Sequence, residues 1–166
     1  YKLDLSYQDT TQLNVPPGMT MMKLPDGMKH KVADISPGTT YGVGVDTDGK
    51  VYTWGYTKIT DTIDLKYIPE EVQNAKIVNV AAGYDHIVAL DENGALYVWG
   101  NRRLGQDSFP DKIQMASAYG KNLGFKQIEA SNQFSAAVTE SGDLYLWGND
   151  KQADIKIKKE YQGNIE

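Results

Sequence analysis

The chain has 166 residues, a net charge of -5, 23% charged residues and no cysteine. That length suits one ordinary domain with a sizeable core, and the missing cysteine excludes disulfides and thiolate chemistry. A mildly acidic chain without a basic face gives no support for a nucleic-acid partner. No apolar run approaches the roughly 20 residues of a membrane-spanning helix, so insertion of this segment into a membrane is not expected.

Glycine is frequent (16) and tyrosine abundant (11), while phenylalanine is scarce (3). The balance favours short strands joined by tight turns over long helices. The chain begins at Tyr1 rather than methionine and carries no visible signal peptide. It reads as a processed or excised piece of a longer protein.

Residues 1–24 fall outside the repeat that dominates the rest, as an N-terminal extension or the remnant of a preceding unit. Leu3, Leu5 and Tyr7 alternate as in a half-buried strand, and Pro16-Pro17-Gly18 then breaks the chain. From residue 25 one pattern recurs: repeat 1 over 25–68, repeat 2 over 69–109 and repeat 3 over 110–150. Each repeat opens with a proline followed three residues later by an apolar side chain, at Pro25/Met28, Pro69/Val72 and Pro110/Ile113. Next comes a segment that turns to small residues: 31–38, 76–83 (ending Ala81-Ala82-Gly83) and 124–131.

A hairpin completes each unit, with Gly49, Trp54 and Gly55 in the first copy, Gly94, Trp99 and Gly100 in the second, and Gly142, Trp147 and Gly148 in the third. All three tryptophans of the chain lie there, 45 and 48 residues apart. Repetition at that period marks a stacked or radial array of one supersecondary unit. Asp48-Gly49 and Asn93-Gly94 are strong hairpin signals, and Ser141-Gly142 a weaker one. Leu96-Tyr97-Val98-Trp99 is apolar at successive positions, which predicts a strand covered on both faces. Small residues at Ala81, Ala82 and Gly83 suit a crowded strand near a central axis. The expected fold is therefore all-β, about three four-stranded propeller blades forming a partial arc. Residues 151–166 read as the start of a fourth repeat, with Ile155 and Ile157 alternating with lysines in an edge strand guarded by charge.

The second unit carries a family resemblance. Val80-Ala81-Ala82-Gly83-Tyr84-Asp85-His86-Ile87-Val88-Ala89-Leu90, followed by Trp99-Gly100-Asn101-Arg102-Arg103-Leu104-Gly105-Gln106, resembles the repeat of the regulator of chromosome condensation family. The first unit has Tyr56 where that tail carries asparagine, and the third keeps only Gly148 and Asn149. The resemblance spans about residues 25–150 and implies blades of a propeller, in a bacterial-type fragment. It also implies action through surfaces, since members include exchange factors for small GTPases, plant ultraviolet sensors and secreted β-lactamase inhibitors. With one tryptophan per repeat at a structural position, the light-sensing role is not expected here.

Catalytic and metal-binding patterns are thin. Asp46-Thr47-Asp48-Gly49 resembles the opening of a calcium loop, but position 57 is Thr where a bidentate glutamate is needed. A hairpin turn whose aspartates bond their own backbone explains the same residues. His30 and His86, the only histidines, offer too few ligands for zinc and no partner set for a serine nucleophile. Glu70, Glu71 and Asp143 have no spacing that makes them converge as acid and base. The chain is accordingly expected to be no enzyme and to use no cofactor or metal.

Tyr84, Asp85, Arg102, Arg103 and Phe109 fall in inter-strand connections, where a rigid scaffold concentrates binding residues. The expected function is a non-enzymatic protein–protein interaction module. One alternative is an extracytoplasmic sensor or substrate-binding domain of a larger membrane or surface protein; guanine-nucleotide exchange on a small GTPase is another. An extracytoplasmic or cell-surface setting is favoured over a cytoplasmic one. An arc of three blades also leaves apolar faces at its ends. These are expected to drive self-association or to be covered by residues 1–24 and 151–166.

Overall fold

The computed structural model describes residues 24–28, 31–103, 120 and 123–149. Among the described residues nine strands form three antiparallel sheets: β1 (Val32–Pro37), β2 (Tyr41–Asp46) and β3 (Val51–Gly55); β4 (Ile77–Ala82), β5 (His86–Asp91) and β6 (Leu96–Gly100); β7 (Phe125–Ser131), β8 (Phe134–Thr139) and β9 (Leu144–Gly148). Each sheet is one blade of a propeller arc. The three are built to one register, with the same irregularity in the first pair of each, at Val32/Asp34, Ile77/Asn79 and Phe125/Gln127.

The hairpin signals act through their side chains. Asp46 Oδ1 accepts hydrogen bonds from the amides of Asp48 and Lys50, and its Oδ2 accepts one from the Tyr52 hydroxyl. Asp91 does the same with Asn93, Ala95 and Tyr97. In the third blade Thr139 Oγ1 accepts from the Asp143 amide. Gly49, Gly94 and Gly142 take φ values of 87°, 78° and 83°, the left-handed region that glycine enters without a Cβ penalty. The Asp46 oxygens that a calcium loop would turn toward a cation are thus engaged by their own turn.

Two features differ from the sequence-based picture. The proline opening does not start a fourth strand: among the described residues each sheet has three. Instead Pro25 and Pro69 start helical turns, in which their carbonyls accept from the Met28 and Val72 amides. The first is a single turn over Asp26–Met28, the second a short helix, α1 (Glu70–Asn74). Proline suits the start of a helix because the first amides lack intrahelical acceptors. The turn brings the third residue round to the core, and Met28 and Val72 are buried.

The strand covered on both faces is the middle one, not the tryptophan strand. Every residue of β2 and β5 is buried, whereas Tyr97 and Val98 of β6 are only partly so. A central strand has sheet partners at both edges; β5 has a blade against each face, and the outer face of β2 is covered by Trp54 over Gly42 and Met28 over Gly44. Leu3, Leu5, Tyr7, His30, Leu104–Gln106, Phe109, Pro110, Ile113, residues 116–119 of the insertion and the Lys151–Lys159 stretch lie outside the described residues.

Two hydrophobic layers join the blades. Tyr41, Val43 and Val45 of the first blade meet Val80, Ile87, Ala89 and Trp99 of the second. Val88 and Leu90 of the second meet Ile128, Ala137 and Trp147 of the third. Odd and even positions of β5 thus serve opposite seams, as the two-residue strand period requires. Backbone bonds fasten the same seams at the hairpin end: the amides of Ile77 and Phe125 donate to the carbonyls of Gly49 and Gly94. At the inner strands, Asp34 Oδ2 accepts from the Val80 amide and Ser36 Oγ from the Ala82 amide.

Candidate protein-interaction face

The β1–β2, β4–β5 and β7–β8 loops lie at one end of the sheets, together with the ends of β3, β6 and β9. Each strand end is tied back to its own blade's loop. The amides of Tyr56, Asn101 and Asn149 donate to the carbonyls of Thr40, Asp85 and Gln133. Side chains double two of these ties: Asn101 Nδ2 donates to Asp85 Oδ2 at 2.8 Å, and Asn149 Nδ2 to Gln133 Oε1 at 3.3 Å. Where the first repeat has Tyr56 in place of asparagine, Thr40 Oγ1 donates to the Tyr56 carbonyl instead.

The loops are also joined from blade to blade. Tyr41 donates its hydroxyl to the carbonyls of both Gly83 and His86 across the first seam. Across the second, the Tyr84 amide donates to the Asn132 carbonyl. His86, which occupies in the second blade the place of Tyr41 in the first, shares a 2.8 Å hydrogen bond with Ser135 through Nε2. Gly83 is glycine because the imidazole lies on it: a Cβ there would stand 2.3 Å from His86 Cε1.

Asp85, His86 and Ser135 form a line of acid, imidazole and hydroxyl that no spacing in the sequence announces. It is not a nucleophile with its base. Ser135 and His86 are fully buried, so the serine oxygen has no approach for a substrate. His86 Nδ1 stands 3.7 Å from Asp85 Oδ1, beyond hydrogen-bonding reach. Burial holds the imidazole below its ordinary range, against the pull of Asp85. Burial, then the Asp85 charge, pushes the Tyr41 hydroxyl well above the usual phenol range.

The five residues singled out in the sequence separate by depth. Tyr84 is half exposed, at 50%, and Arg102 and Arg103 are exposed on the same blade's outgoing loop. Asp85 lies beneath them, 2% exposed, where it holds Asn101; it positions the loop and is no surface contact. Phe109 lies outside the described residues. The Arg103 amide donates to Asn101 Oδ1, so one asparagine fixes both the loop below and the arginine above. Asn101 was not among the sequence candidates. Its recurrence as Asn149 after the third Trp-Gly was the available signal.

Two open grooves lie elsewhere. One, about 290 Å³, runs along the three inner strands and is lined by Asp34, Ser36, Asn79, Lys126 and Glu129. The other, about 470 Å³, lies at the hairpin end of the first seam between Lys50, Lys66, Tyr67 and Gln73. No group of three or more acidic or histidine side chains among the described residues is arranged to hold a metal ion. No helix among them is long and apolar enough to cross a membrane.

Three repeated blades with fixed loops at one end define a β-propeller arc. Residues 77–106, in the second blade, match the family model of the regulator of chromosome condensation (RCC1) repeat. Yeast RCC1 (Prp20), solved bound to Kap60, superposes with a TM-score of 0.58 at 24% identity, covering 84% of this chain and 34% of that one. Human WBSCR16 gives 0.54 at 18% identity, with 70% and 33% covered. The CRINKLY ectodomain of the Arabidopsis thaliana receptor kinase ACR4 gives 0.51 at 14%, with 69% and 37% covered. The chain therefore spans about a third of the length of these proteins. No curated protein sequence matches it.

Proposed function

We propose that this chain is a non-enzymatic protein-binding module that engages its partner through the loop end of the second blade. The carrying observation is the fixed placement of Tyr84, Arg102 and Arg103 over the Asp85–Asn101 hydrogen bond. Tyrosine and arginine are enriched among residues that dominate binding energy. Loops tied down before binding lose less conformational entropy on association. The structural relatives support a protein partner: the yeast RCC1 structures concern Kap60, and Gsp1p and histones.

The test is affinity capture from cell extract with the wild-type chain, compared with Tyr84→Ala and Arg103→Ala. These exposed positions should leave thermal stability unchanged, within about 0.5 kcal/mol. The proposal expects a partner held by the wild type and lost, wholly or tenfold, on either substitution. Equal recovery with the wild type and both variants would contradict it.

A further inference from the structure

Among the described residues, two buried side-chain nitrogens have no hydrogen-bond partner: Trp99 Nε1 and His86 Nδ1. The indole nitrogen does not titrate, whereas the imidazole nitrogen does. His86 is fully buried and is held from one side, by the 2.8 Å bond between Nε2 and Ser135 Oγ across the second seam. On the other side Asp85 Oδ1 stands 3.7 Å from Nδ1, on a residue only 2% exposed.

The groups around the ring decide what an added proton would meet. Asp85 comes from the β4–β5 loop, and Tyr41 comes from β2, its hydroxyl donating to the His86 carbonyl. Tyr41 is pushed well above the usual phenol range and keeps its proton in acid. From β8 comes Ser135, and β6 sets Gly100 opposite His86; neither titrates. The charges of β7, Lys126 and Glu129, line the inner-strand groove, while Arg102 and Arg103 are exposed on the loop above. Asp85 is therefore the counter-charge in place for an imidazolium.

With Nε2–H donating to Ser135, a protonated ring presents a second N–H at Nδ1. A buried cation without a bonded partner is costly. Closing the 3.7 Å gap to the roughly 2.7–2.9 Å of a charge-assisted bond moves Asp85 inward by about 1 Å. That carboxylate is also committed outward: its Oδ2 accepts from Asn101 Nδ2 at 2.8 Å, and Asn101 Oδ1 accepts from the Arg103 amide at 3.0 Å. Asn101 is tied by its own amide to the Asp85 carbonyl, which keeps its side chain from following.

We infer that the loop end of the second blade holds an acid switch: a proton on His86 draws Asp85 inward, breaks its bond to Asn101 and frees the outgoing loop at Arg103. Its consequence, weaker partner binding in acid, rests on the loop end being the contact face. The release of the loop does not.

Nuclear magnetic relaxation of the nitrogen-15-labelled chain, from about pH 7.5 to 5, reads the switch without any partner. The Arg103 amide should fall from an order parameter near 0.85 to below about 0.6 as pH drops below about 6.5, the ordinary histidine value. Val43 and Ala89, in the central strands, should stay near 0.85. Two variants should hold Arg103 level across the range. His86→Gln cannot take up the proton, and Asp85→Asn keeps an acceptor for Asn101 but no charge for the ring. A wild type level at Arg103 down to about pH 5 would overturn the inference, and so would a His86→Gln variant that loosens as the wild type does. Simultaneous loosening of Val43 and Ala89 would also overturn it, since the change would then be unfolding of the blades. None of these results touches the proposed contact face, which affinity capture near neutral pH tests separately.

Discussion

The two seams use one position for one purpose with different chemistry. At the first, Tyr41 reaches across with a hydroxyl that donates to the carbonyls of Gly83 and His86. At the second, the equivalent His86 reaches Ser135 with a ring nitrogen. In each case the aromatic ring lies on the glycine of its own loop: Gly38 under Tyr41 and Gly83 under His86. The repeat therefore conserves a geometry, a flat ring on glycine extending a polar tip across the seam, rather than a residue type. What differs is how each seam responds to protons.

The largest effects should separate the buried tryptophans of the seams from the partly covered Trp54. Trp99→Ala should destabilise by about 3–5 kcal/mol, the range for deleting a buried aromatic. Trp54→Ala, at the partly covered face, should cost clearly less. Comparable losses in urea unfolding would mean that Trp54 is packed as closely as Trp99.

Gly83→Ala comes next. Its Cβ would press on His86 and on the Ser131 carbonyl, and overpacking of this kind costs about 1–3 kcal/mol. The combination Gly83→Ala/His86→Ala should recover part of that loss, because the ring that collides is gone. Tyr41→Phe should be milder, about 0.5–1.5 kcal/mol for the hydroxyl's hydrogen bonding.

The smallest and most specific difference is in pH. Tyr41 is raised from its ordinary 10.0. Its contribution is therefore present in full below about pH 10 and lost as pH rises above that. Tyr97, pushed up to about 12 by burial and its bond to Asp91, loses its contribution over the same alkaline limb, between about 10 and 12. His86 is lowered from 6.5. Its contribution is present above 6.5 and lost as pH falls through that value toward the folded-state one, because the unfolded chain takes up the proton first. Chemical denaturation against pH should show Tyr41→Phe flattening the alkaline limb and His86→Gln flattening the limb below about pH 6.5. A mutant that flattened the opposite limb would contradict the assignment.

Much of the fold was legible because the same constraint appears three times. One Asp-Gly is an ordinary turn signal. Three glycines, each five residues before a Trp-Gly, define a unit. The Pro25/Met28 and Pro69/Val72 pairs marked the opening of each repeat in the sequence without showing its conformation. The amides of Met28 and Val72, bonded to the proline carbonyls, decide for the turn. The double covering of β5 was hidden because His86 and Asp91 break its apolar run, although both are buried, His86 bonded through Nε2 to Ser135 and Asp91 to its own turn.

The candidate site was legible only in outline. Tyr84, Arg102 and Arg103 stood out as loop residues, but the depth of Asp85 did not. A carboxylate beside a tyrosine looks exposed until its asparagine partner, 16 residues on, is in place. The His86–Ser135 bond joins residues 49 apart in different blades. Only an alignment of the repeats, placing His86 on Tyr41 and Ser135 on Ile87, would have directed attention to it.

The central claim is that consecutive repeats pack as blades in a fixed register, and a double-mutant cycle across the second seam tests it most directly. His86→Ala, Ser135→Ala and the double variant would be compared with the wild type by urea unfolding. If the two side chains meet as described, the losses should fall short of additivity by roughly 0.5–3 kcal/mol. Additivity within about 0.3 kcal/mol would mean that β5 and β8 do not face each other there.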